Sequence, residues 1–380
     1  MLLKNIEIQV FKLDNTTFEA IGGINQFTSL IWPDKFNGYS TFELTAPITS
    51  ENKAVIKKNN ILWCGKDNAA KIEIIQFDTN DDGEKVFKVK GRTLEQILTT
   101  RIIWGTYNCT NKYSSTVMYE IVKNHCVNPV DTYRKIPFLE CAEDESFGKV
   151  ISFQKTGGEV YEAIESIAKD SDIGFDILFR PKQKKLIFKV NEGVDRTIHQ
   201  QDDANSGLVI FSTELEDILS SSYYTNNQDE KTLAYVAGEG EGAERSYVIS
   251  GNNASYGFER KESYIDARDI QSEISNEDGT QTQMTVHEYR ELLNARGVEK
   301  LAECETIESF EAKMRMDGQY TYGVDYFKGD TVIIQDADLG VEVSAKITEV
   351  IENYDDEYEL EITFGYSYPT LIQKIKRHIV

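Results

Sequence analysis

The segment AGEGEGAER, residues 237–245, has a glycine pattern close to that of loops that bind phosphate groups. Such a loop needs free backbone N–H groups without neighbouring carboxylates, and it usually lies between a strand and a helix. Here Glu239, Glu241 and Glu244 would repel a phosphate, and the next segment, RSYVIS, has the composition of a strand. We therefore predict a flexible acidic turn.

Histidine and cysteine supply many metal ligands and nucleophiles, but in this chain they are scattered. HEYRE, residues 287–291, lacks the second histidine of a zinc-protease motif. His125 lies beside Cys126, and we predict a packed core histidine at the edge of a helix. The absence of any CxxC pair predicts reduced thiols in a cytoplasmic chain. The remaining residues of these types are Cys64, Cys109, Cys141, Cys304, His199, His287 and His378.

No other motif specifies a reaction. The chain has no GxSxG segment, and a Cys–His pair or a glycosidase-like carboxylate pair that meets only in space stays open without local support. The cations Lys182, Lys184 and Lys185 are predicted to form a solvated hairpin tip, although they could contact nucleic acid. The sequence thus predicts no catalytic residue, no metal ligand and no cofactor-binding residue.

Composition narrows the function classes further. The 380 residues are 40% hydrophobic and 11% aromatic, as in ordered globular proteins, and are enough for several domains. The net charge of −23 argues against a nucleic-acid grip and against docking on anionic lipid. The first residues, MLLKNIEIQVF, do not resemble a secretory signal, and no apolar run is long enough for a membrane anchor.

The elements that hold these residues fall into four stretches. Residues 1–105 contain short strands separated by turn signals such as Asn37-Gly38, which favours a β-barrel or sandwich. The stretch should close with a helix capped by Thr93 and Gln96. Leu94, Ile97, Leu98 and Ile102 would form its apolar face.

Residues 106–205 read as an α/β domain. A helix is predicted over about 115–126, with Met118, Ile121 and Val122 inward, and a second helix after a capping box from Thr156 to Glu159. The apolar stripe of the second helix is Val160, Ile164, Ile167 and Ala168. GFDILFRPKQKKLIFKVNEG then predicts a β-hairpin that packs on this helix.

Residues 206–265 and 305–380 are predicted to form a second β-barrel, interrupted by a helical insertion at 266–304 that begins with a TVHE capping box at Thr285. In YGVDYFKGDTVIIQD, residues 322–336, Lys328-Gly329-Asp330 should reverse the chain before a strand. EYELEITFG alternates cleanly, and VEVSAKIT should place Val341, Val343, Ala345 and Ile347 inward.

The order of these segments resembles that of the hub proteins of bacteriophage tail tips, the siphoviral relatives of the baseplate hub of contractile tails. No single motif carries the resemblance, which covers nearly the whole chain. Its segments are YSTFELTAP, then ILWCGKDNAAKIEIIQFDTNDDGEKVFKVKGRTLEQILTTRII, TGGEVYEAIESIAKDSDIGFDI, AGEGEGAER, YGVDYFKGDTVII and ITEVIENYDDEYELEITFG.

This resemblance implies an α+β, mainly β fold with two similar β-barrel domains, peripheral α/β domains and assembly into a homotrimeric ring. The ring would join the tail tube to the tip and let DNA pass. It implies a virion tail-tip location after synthesis in the host cytoplasm. It also implies contacts with the distal tail or tail-tube protein, the tape measure protein and tip or receptor-binding proteins, without sequence-specific nucleic-acid binding.

Two alternatives remain beside the structural, non-enzymatic role: a tail-associated cell-wall hydrolase and a receptor- or carbohydrate-binding tip module. Hubs with lytic or adhesive modules often carry them in a C-terminal extension, and this chain ends at LIQKIKRHIV, so we do not expect them here. Carboxylates such as Glu357, Glu359 and Glu361 could line a DNA channel and repel DNA, or could face outside solvent.

Overall fold

The structure is a computed structural model of the whole chain. It describes residues 6–65, 67–79, 83–198, 207–275, 281–304, 307–315, 318–336, 341–355 and 357–365. Within these ranges, no helix combines the length and the hydropathy needed to cross a membrane.

The N-terminal stretch is built from short β-strands, as its alternating apolar residues predict. One short helix, α1 (Ser50–Val55), begins at Thr49, whose hydroxyl accepts a hydrogen bond from the Asn52 backbone. The strands are β1 (Ile8–Leu13), β2 (Phe18–Ile24), β3 (Ser29–Lys35), β4 (Thr41–Pro47), β5 (Ile61–Trp63), β6 (Ala69–Thr79) and β7 (Lys85–Thr93).

The next stretch mixes helices and strands. The helices α2 (Ser114–Val122) and α3 (Val160–Ser171) bury their apolar faces against a small three-stranded sheet. That sheet has the order β11-β12-β9, and β8 and β10 form a separate ribbon. The strands are β8 (Thr106–Tyr113), β9 (Leu139–Cys141), β10 (Val150–Thr156), β11 (Gly174–Arg180) and β12 (Lys185–Asn191).

The C-terminal stretch consists of strands interrupted by an insert. The insert lies between two strands that pair with each other, β14 and β20, and it holds the helix α4 (Val286–Ala302). The strands are β13 (Ile210–Ser212), β14 (Ile218–Asn226), β15 (Leu233–Ala237), β16 (Tyr247–Gly251), β17 (Glu262–Asp266), β18 (Glu273–Ser275), β19 (Gln281–Gln283), β20 (Ile307–Met314), β21 (Thr331–Asp336), β22 (Val341–Tyr354) and β23 (Tyr358–Gly365).

The two β regions join in one sheet of 13 strands. Along its main path the order is β14-β20-β23-β22-β3-β4-β7-β6-β5-β1-β2, and β21 branches from β22 and pairs with β13. The connection is the antiparallel pairing of β22 with β3, from Glu349 opposite Lys35 to Tyr354 opposite Leu30. The predicted mainly β fold is confirmed. The described strands form no closed barrel, so the two-barrel expectation is not confirmed.

Buried apolar side chains form four clusters. One lies in the N-terminal half of the sheet around Trp32 and Phe42, and another in the C-terminal half around Phe211 and Phe364. A third fills the α/β stretch between α2, α3 and the small sheet, and a fourth lies between α4 and the strands β15 and β17 of the insert. The third cluster also includes Phe11 of β1 and Phe18 of β2, so the N-terminal strands and the α/β stretch share one core.

The three capping boxes predicted from the sequence have different outcomes. The box at Thr285 is confirmed, since its hydroxyl accepts from the Glu288 backbone at 3.2 Å and the Glu288 carboxylate accepts from the Thr285 N–H at 2.8 Å. The box at Thr93 is wrong, because this hydroxyl accepts from the Ser40 N–H and the following helix is a short 3-10 helix, Leu94–Thr100. The box at Thr156 is also wrong, because Thr156 ends β10 and its hydroxyl bonds to that of Thr106.

Most of the other local predictions are confirmed. His125 is buried in a π-helical turn after α2, and GFDILFRPKQKKLIFKVN forms the hairpin β11–β12. Leu360, Ile362 and Phe364 point into the core from β23. The inward placement of Val343 is wrong, since 40% of it is exposed where β22 runs along β21. Val341 belongs to β22, but its side chain lies outside the described part of the structure.

Candidate functional site

The turn Phe327–Asp330 brings three parts of the chain together. It precedes β21 and is closed by the Asp330 N–H, which donates to the Phe327 carbonyl at 3.2 Å. Gly329 has a φ of +89°, in the region that favours glycine. The Asp330 carboxylate accepts from the Phe327 N–H at 2.9 Å and from Arg196 Nε at 2.5 Å. The segment YGVDYFKGDTVII thus forms the predicted turn and strand.

Lys328 extends from this turn into a pocket of carboxylates. Its ammonium group forms ion pairs with Asp34, at the end of β3, and with Asp176 in β11, where the Nζ–Oδ1 distance is 2.5 Å. It also donates to the Lys35 carbonyl at 3.1 Å. These side chains are 12–22% exposed. One lysine therefore joins the N-terminal sheet, the α/β stretch and the C-terminal strands.

A third carboxyl group lies behind this cluster. Glu95 is 3% exposed and accepts a hydrogen bond from the Ile177 N–H at 2.8 Å. Burial, followed by the charge of Asp176, raises the pKa of Glu95 to about 7. Burial likewise raises the pKa of Asp176. Burial alone would lower the pKa of Lys328, but the charges of Asp176 and Asp34 raise it above its ordinary value, so this lysine stays charged.

Phe36 supplies the apolar side of the junction. Its ring is 2% exposed and packs against two glycines, Gly174 of β11 and Gly329 of the turn, where an added Cβ atom would overlap the ring. Its backbone carbonyl accepts from the Phe175 N–H at 3.0 Å, and its N–H donates to the Thr348 carbonyl at 2.9 Å. The same three parts of the chain therefore meet at an aromatic ring and at an ion cluster.

The chemistry of the junction is structural. A lysine held charged is a poor nucleophile, and both of its carboxylate partners accept from it. Within the described residues, no group of three or more His, Cys, Asp and Glu side chains is arranged to hold a metal ion. Buried ion pairs of this kind fix one arrangement of the surrounding segments, because removing either partner leaves an uncompensated charge.

The candidates considered from the sequence lie apart from this junction. The acidic glycine segment forms the predicted turn between β15 and β16, and a strand follows it. His287 of HEYRE is exposed and faces Glu291 at 3.4 Å. Burial lowers the pKa of His125, with a smaller contribution from Arg134. The five cysteines, all within the described ranges, form no disulfide. Lys182 and Lys184 lie at the exposed hairpin tip.

Sequence reasoning assigned Lys328 to a turn and did not find its partners. Asp34 is 294 residues away along the chain and Asp176 is 152 residues away, so no local spacing links them. One local signal was available: a lysine between an aromatic residue and a glycine, directly before a buried β-branched run. A charged side chain there must point either to solvent or into a cluster of opposite charge.

The fold of this chain is similar to that of a solved structure. The tail protein from Neisseria meningitidis MC58 aligns with a TM-score of 0.54 at 9% identity, over 95% of this chain and 97% of that one. The prophage tail protein gp18 from Listeria monocytogenes EGD-e aligns with a TM-score of 0.49 at 10% identity, over 98% of each chain. No curated protein matches the sequence.

The family assignment comes from the sequence itself. A family model described as Siphovirus ReqiPepy6 Gp37-like protein matches residues 7–366, which includes every strand of the large sheet. The resemblance to tail proteins stated from the order of segments is confirmed by this match. The chain belongs to the family of Siphovirus ReqiPepy6 Gp37-like proteins.

Proposed function

We propose that this protein is a structural, non-enzymatic hub of the tail tip, whose copies form a homotrimeric ring that joins the tail tube to the tip and lets DNA pass. The observation that carries this proposal is the single large sheet, fixed across its middle by Lys328 and Phe36. Strands that are paired in one continuous sheet present a defined surface to neighbouring proteins.

The outer strands of the sheet support assembly. At one end β14 and at the other end β2 pair with a single described strand each, β20 and β1. An unpaired strand edge is a template for pairing with another chain, and β14 also exposes Leu219 and Tyr223. In a ring of three, the two halves of the sheet would act as the two similar β modules of each subunit.

The charge of the chain suits a conduit for DNA. Three subunits at −23 each carry −69, and a channel rich in carboxylates offers phosphates no counterion-release gain. On β23, Glu359 is paired with Lys313, and Glu361 accepts from Asn353 at 3.3 Å. The carboxylates of this strand are thus held in place along the sheet, whichever side faces the channel.

The proposal also covers domain division, partners and location. The proposed division is into residues 1–105, 106–205, 206–265 with 305–380, and the insertion 266–304. The apolar clusters follow it only in part, because the cluster of the α/β stretch also holds Phe11, Phe18 and Leu94, and the core of the insertion draws on the strands before it. In the virion the ring would contact the tail-tube or distal tail protein on one side. The tape measure protein and the tip proteins would be its other neighbours.

The ring is tested by mass and by imaging. Light scattering on the purified chain should give about 130 kDa, three times the 43.3 kDa of one chain, and negative-stain images should show a central hole. The measurement should be repeated in the presence of the tail-tube protein of the same phage, because a partner surface can drive closure. A monomer under both conditions would contradict the ring.

A second candidate function is supported by the insert. Its sheet has the order β16-β15-β17, with α4 packed on one side. The other side exposes Tyr247, Ile249 and Tyr264, and the neighbouring loop exposes Tyr256 and Phe258. Aromatic faces with polar tips are common in recognition surfaces, which favours a receptor- or carbohydrate-binding role for the insert.

This second role is tested on a glycan array with the full chain. Binding that is lost in Tyr264→Ala and retained in Tyr133→Ala, a change at an exposed tyrosine outside the insert, would support it. Absence of binding to host cell-wall glycans would contradict the binding role and leave the structural role as the remaining function.

A further inference from the structure

Two exposed aromatic residues lie on different segments, Trp104 after the 3-10 helix Leu94–Thr100 and Tyr133 in the 3-10 helix Thr132–Arg134. Trp104 is 71% exposed and Tyr133 is 96% exposed. The Arg134 side chain lies over the Trp104 ring, 5.8 Å from its centroid, and donates to the Ile102 carbonyl. In return, Arg101 Nε donates to the Arg134 carbonyl at 2.5 Å. The two arginines therefore clamp the segments that carry the aromatic rings.

The cations of this patch are unusual for so acidic a chain. Arg101, Arg134 and the exposed Lys135 form no ion pair with any carboxylate in the described residues, although many other lysines and arginines do. The two arginine side chains donate hydrogen bonds to backbone carbonyls and to a threonine hydroxyl. Trp, Tyr and Arg are the residue types that dominate the energetics of protein interfaces. We call residues 101–104 and 133–135 the basic–aromatic patch.

A surface of the opposite character lies on the large sheet, where the turn between β22 and β23 meets β3. It is a cleft of about 440 Å³ whose lining includes the apolar residues Leu30 and Ile31. Asp355 and Glu357 line it, are exposed, and form no ion pair with a described residue. The Oδ1 atom of Asn353, also in the lining, is buried without a hydrogen-bond partner in the described structure. The cleft thus offers two carboxylates without an ion pair, and a third, Glu359, that is paired with Lys313.

We propose that the basic–aromatic patch of one copy docks into this acidic cleft of the next copy. The indole of Trp104 or the phenol of Tyr133 would cover the exposed side chain of Ile31, and Arg134 and Lys135 would face Asp355 and Glu357. Opposite charges here offset the repulsion between two chains of −23, which would otherwise oppose association.

The contact joins two different surfaces, so it is heterologous and repeats from one copy to the next. Such contacts close into a ring when the rotation between copies allows it. The inference therefore rests on the proposed ring and deepens it by naming the surfaces that meet between subunits.

Charge reversal tests the pairing. Arg134→Glu with Lys135→Glu should weaken self-association of the full chain roughly hundredfold by sedimentation, because like charges then face each other. Asp355→Lys with Glu357→Lys should do the same. Mixing the two double variants should restore contacts between unlike copies, since each offers the complement of the other, and should give pairs and open assemblies. A closed ring of three should form only when all four substitutions are combined in one chain, because a mixed ring of three always contains one contact between two copies of the same variant. The matched control, Lys182→Glu with Lys184→Glu, reverses two cations at the hairpin tip and should leave association unchanged.

A crosslink locates the contact directly. Tyr133 replaced by the photoreactive p-benzoylphenylalanine should crosslink to residues 29–31 or 353–359 of another copy, as read by mass spectrometry. The same replacement at Tyr256, which is 86% exposed in the insert, should not reach those residues.

The outcomes separate this inference from the ring itself. A trimer whose crosslinks from Tyr133 lie elsewhere, or whose association ignores the reversed charges, overturns the docking and leaves the ring standing. A wild-type chain that neither associates nor crosslinks overturns the docking. The ring is then decided separately, by light scattering in the presence of the tail-tube protein. Binding of the patch to an anionic wall polymer, without any effect on association, also overturns it.

Discussion

Two turns in this molecule each hold one cation that bonds to carboxylates elsewhere, and the two cations differ in how far along the chain their partners lie. In the junction, Lys328 joins Asp34 and Asp176, which are 294 and 152 residues away. In the insert, Arg245 of the glycine-rich turn bonds to Asp266, 21 residues away, and to the Gly238 carbonyl at 2.9 Å. The glycine-rich turn, whose sequence resembles a motif, is bonded to residues nearby in the chain. The turn Phe327–Asp330, whose sequence resembles no motif, connects segments that are far apart in the chain.

Burial accounts for the difference in energetic weight. Asp176 is 12% exposed, whereas Asp266 is 42% exposed. A charge pair near the surface contributes little, because water screens it and would solvate each partner alone. A buried charge that loses its partner has no such alternative. The comparison predicts large effects at the junction and small ones in the insert.

Lys328→Met should have the largest effect. The substitution keeps the aliphatic stem but leaves Asp34 and Asp176 without their cation, which should lower the free energy of unfolding by about 3–5 kcal/mol. Urea denaturation followed by fluorescence measures this. If adding Asp34→Asn and Asp176→Asn to the variant does not recover part of the loss, the cluster is not the source of the effect.

Gly329→Ala should follow, with a loss of about 3–4 kcal/mol. The φ of +89° strains any residue with a Cβ atom, and this Cβ atom would also overlap the Phe36 ring. Gly323→Ala is the matched control, since Gly323 has a φ of +81° but open space around it. It should cost about 1 kcal/mol. Equal losses in the two variants would show that the contact with Phe36 is not important.

Glu95→Gln should have an effect that depends on pH. The pKa of Glu95 in the folded chain is about 7, above its ordinary 4.5, so the folded state holds the proton more tightly than the unfolded state. The stability from the neutral carboxyl is fully present below about pH 4.5 and is lost as the pH rises to about 7. Relative to wild type, the variant should therefore gain about 3 kcal/mol between pH 4.5 and pH 8. A difference that does not change with pH would contradict the raised pKa.

Arg245→Ala should have the smallest effect, a loss of about 1–2 kcal/mol. It removes two hydrogen bonds to backbone carbonyls and one ion pair with a partly exposed carboxylate. Thermal unfolding of the variant at low and high salt measures it. A loss as large as that of Lys328→Met would remove the distinction between the two turns.

Local patterns predicted the elements well where the structure is decided locally. The alternation in EYELEITFG placed Leu360, Ile362 and Phe364 in the core, and the TVHE box formed as expected. Gly297, in the interior of α4, is explained by packing, because an added Cβ atom would overlap Ser250 of β16.

The failures are the positions where a distant segment competes for the same group. Thr93 has the same local pattern as Thr285, but the Ser40 N–H takes its hydroxyl. The junction could not be predicted for the same reason, since nothing near Asp34 or Asp176 in the sequence points to Lys328. Pairing of β22 with β3 likewise replaced two separate β units with one sheet, and no single-segment pattern specifies it.

The pairing of β22 with β3 also has a consequence for synthesis on the ribosome. One edge of β3 is complete only when Glu349 to Tyr354 have been made, 319 residues after Lys35. At about 5–20 residues per second, that edge waits roughly 16 to 64 s after its own synthesis. During this interval β3, the strand that contains Trp32, has one unpaired edge. An unpaired strand edge favours association with other chains. A strand near the C-terminus, β22, therefore completes the pairing of β3, a strand near the N-terminus.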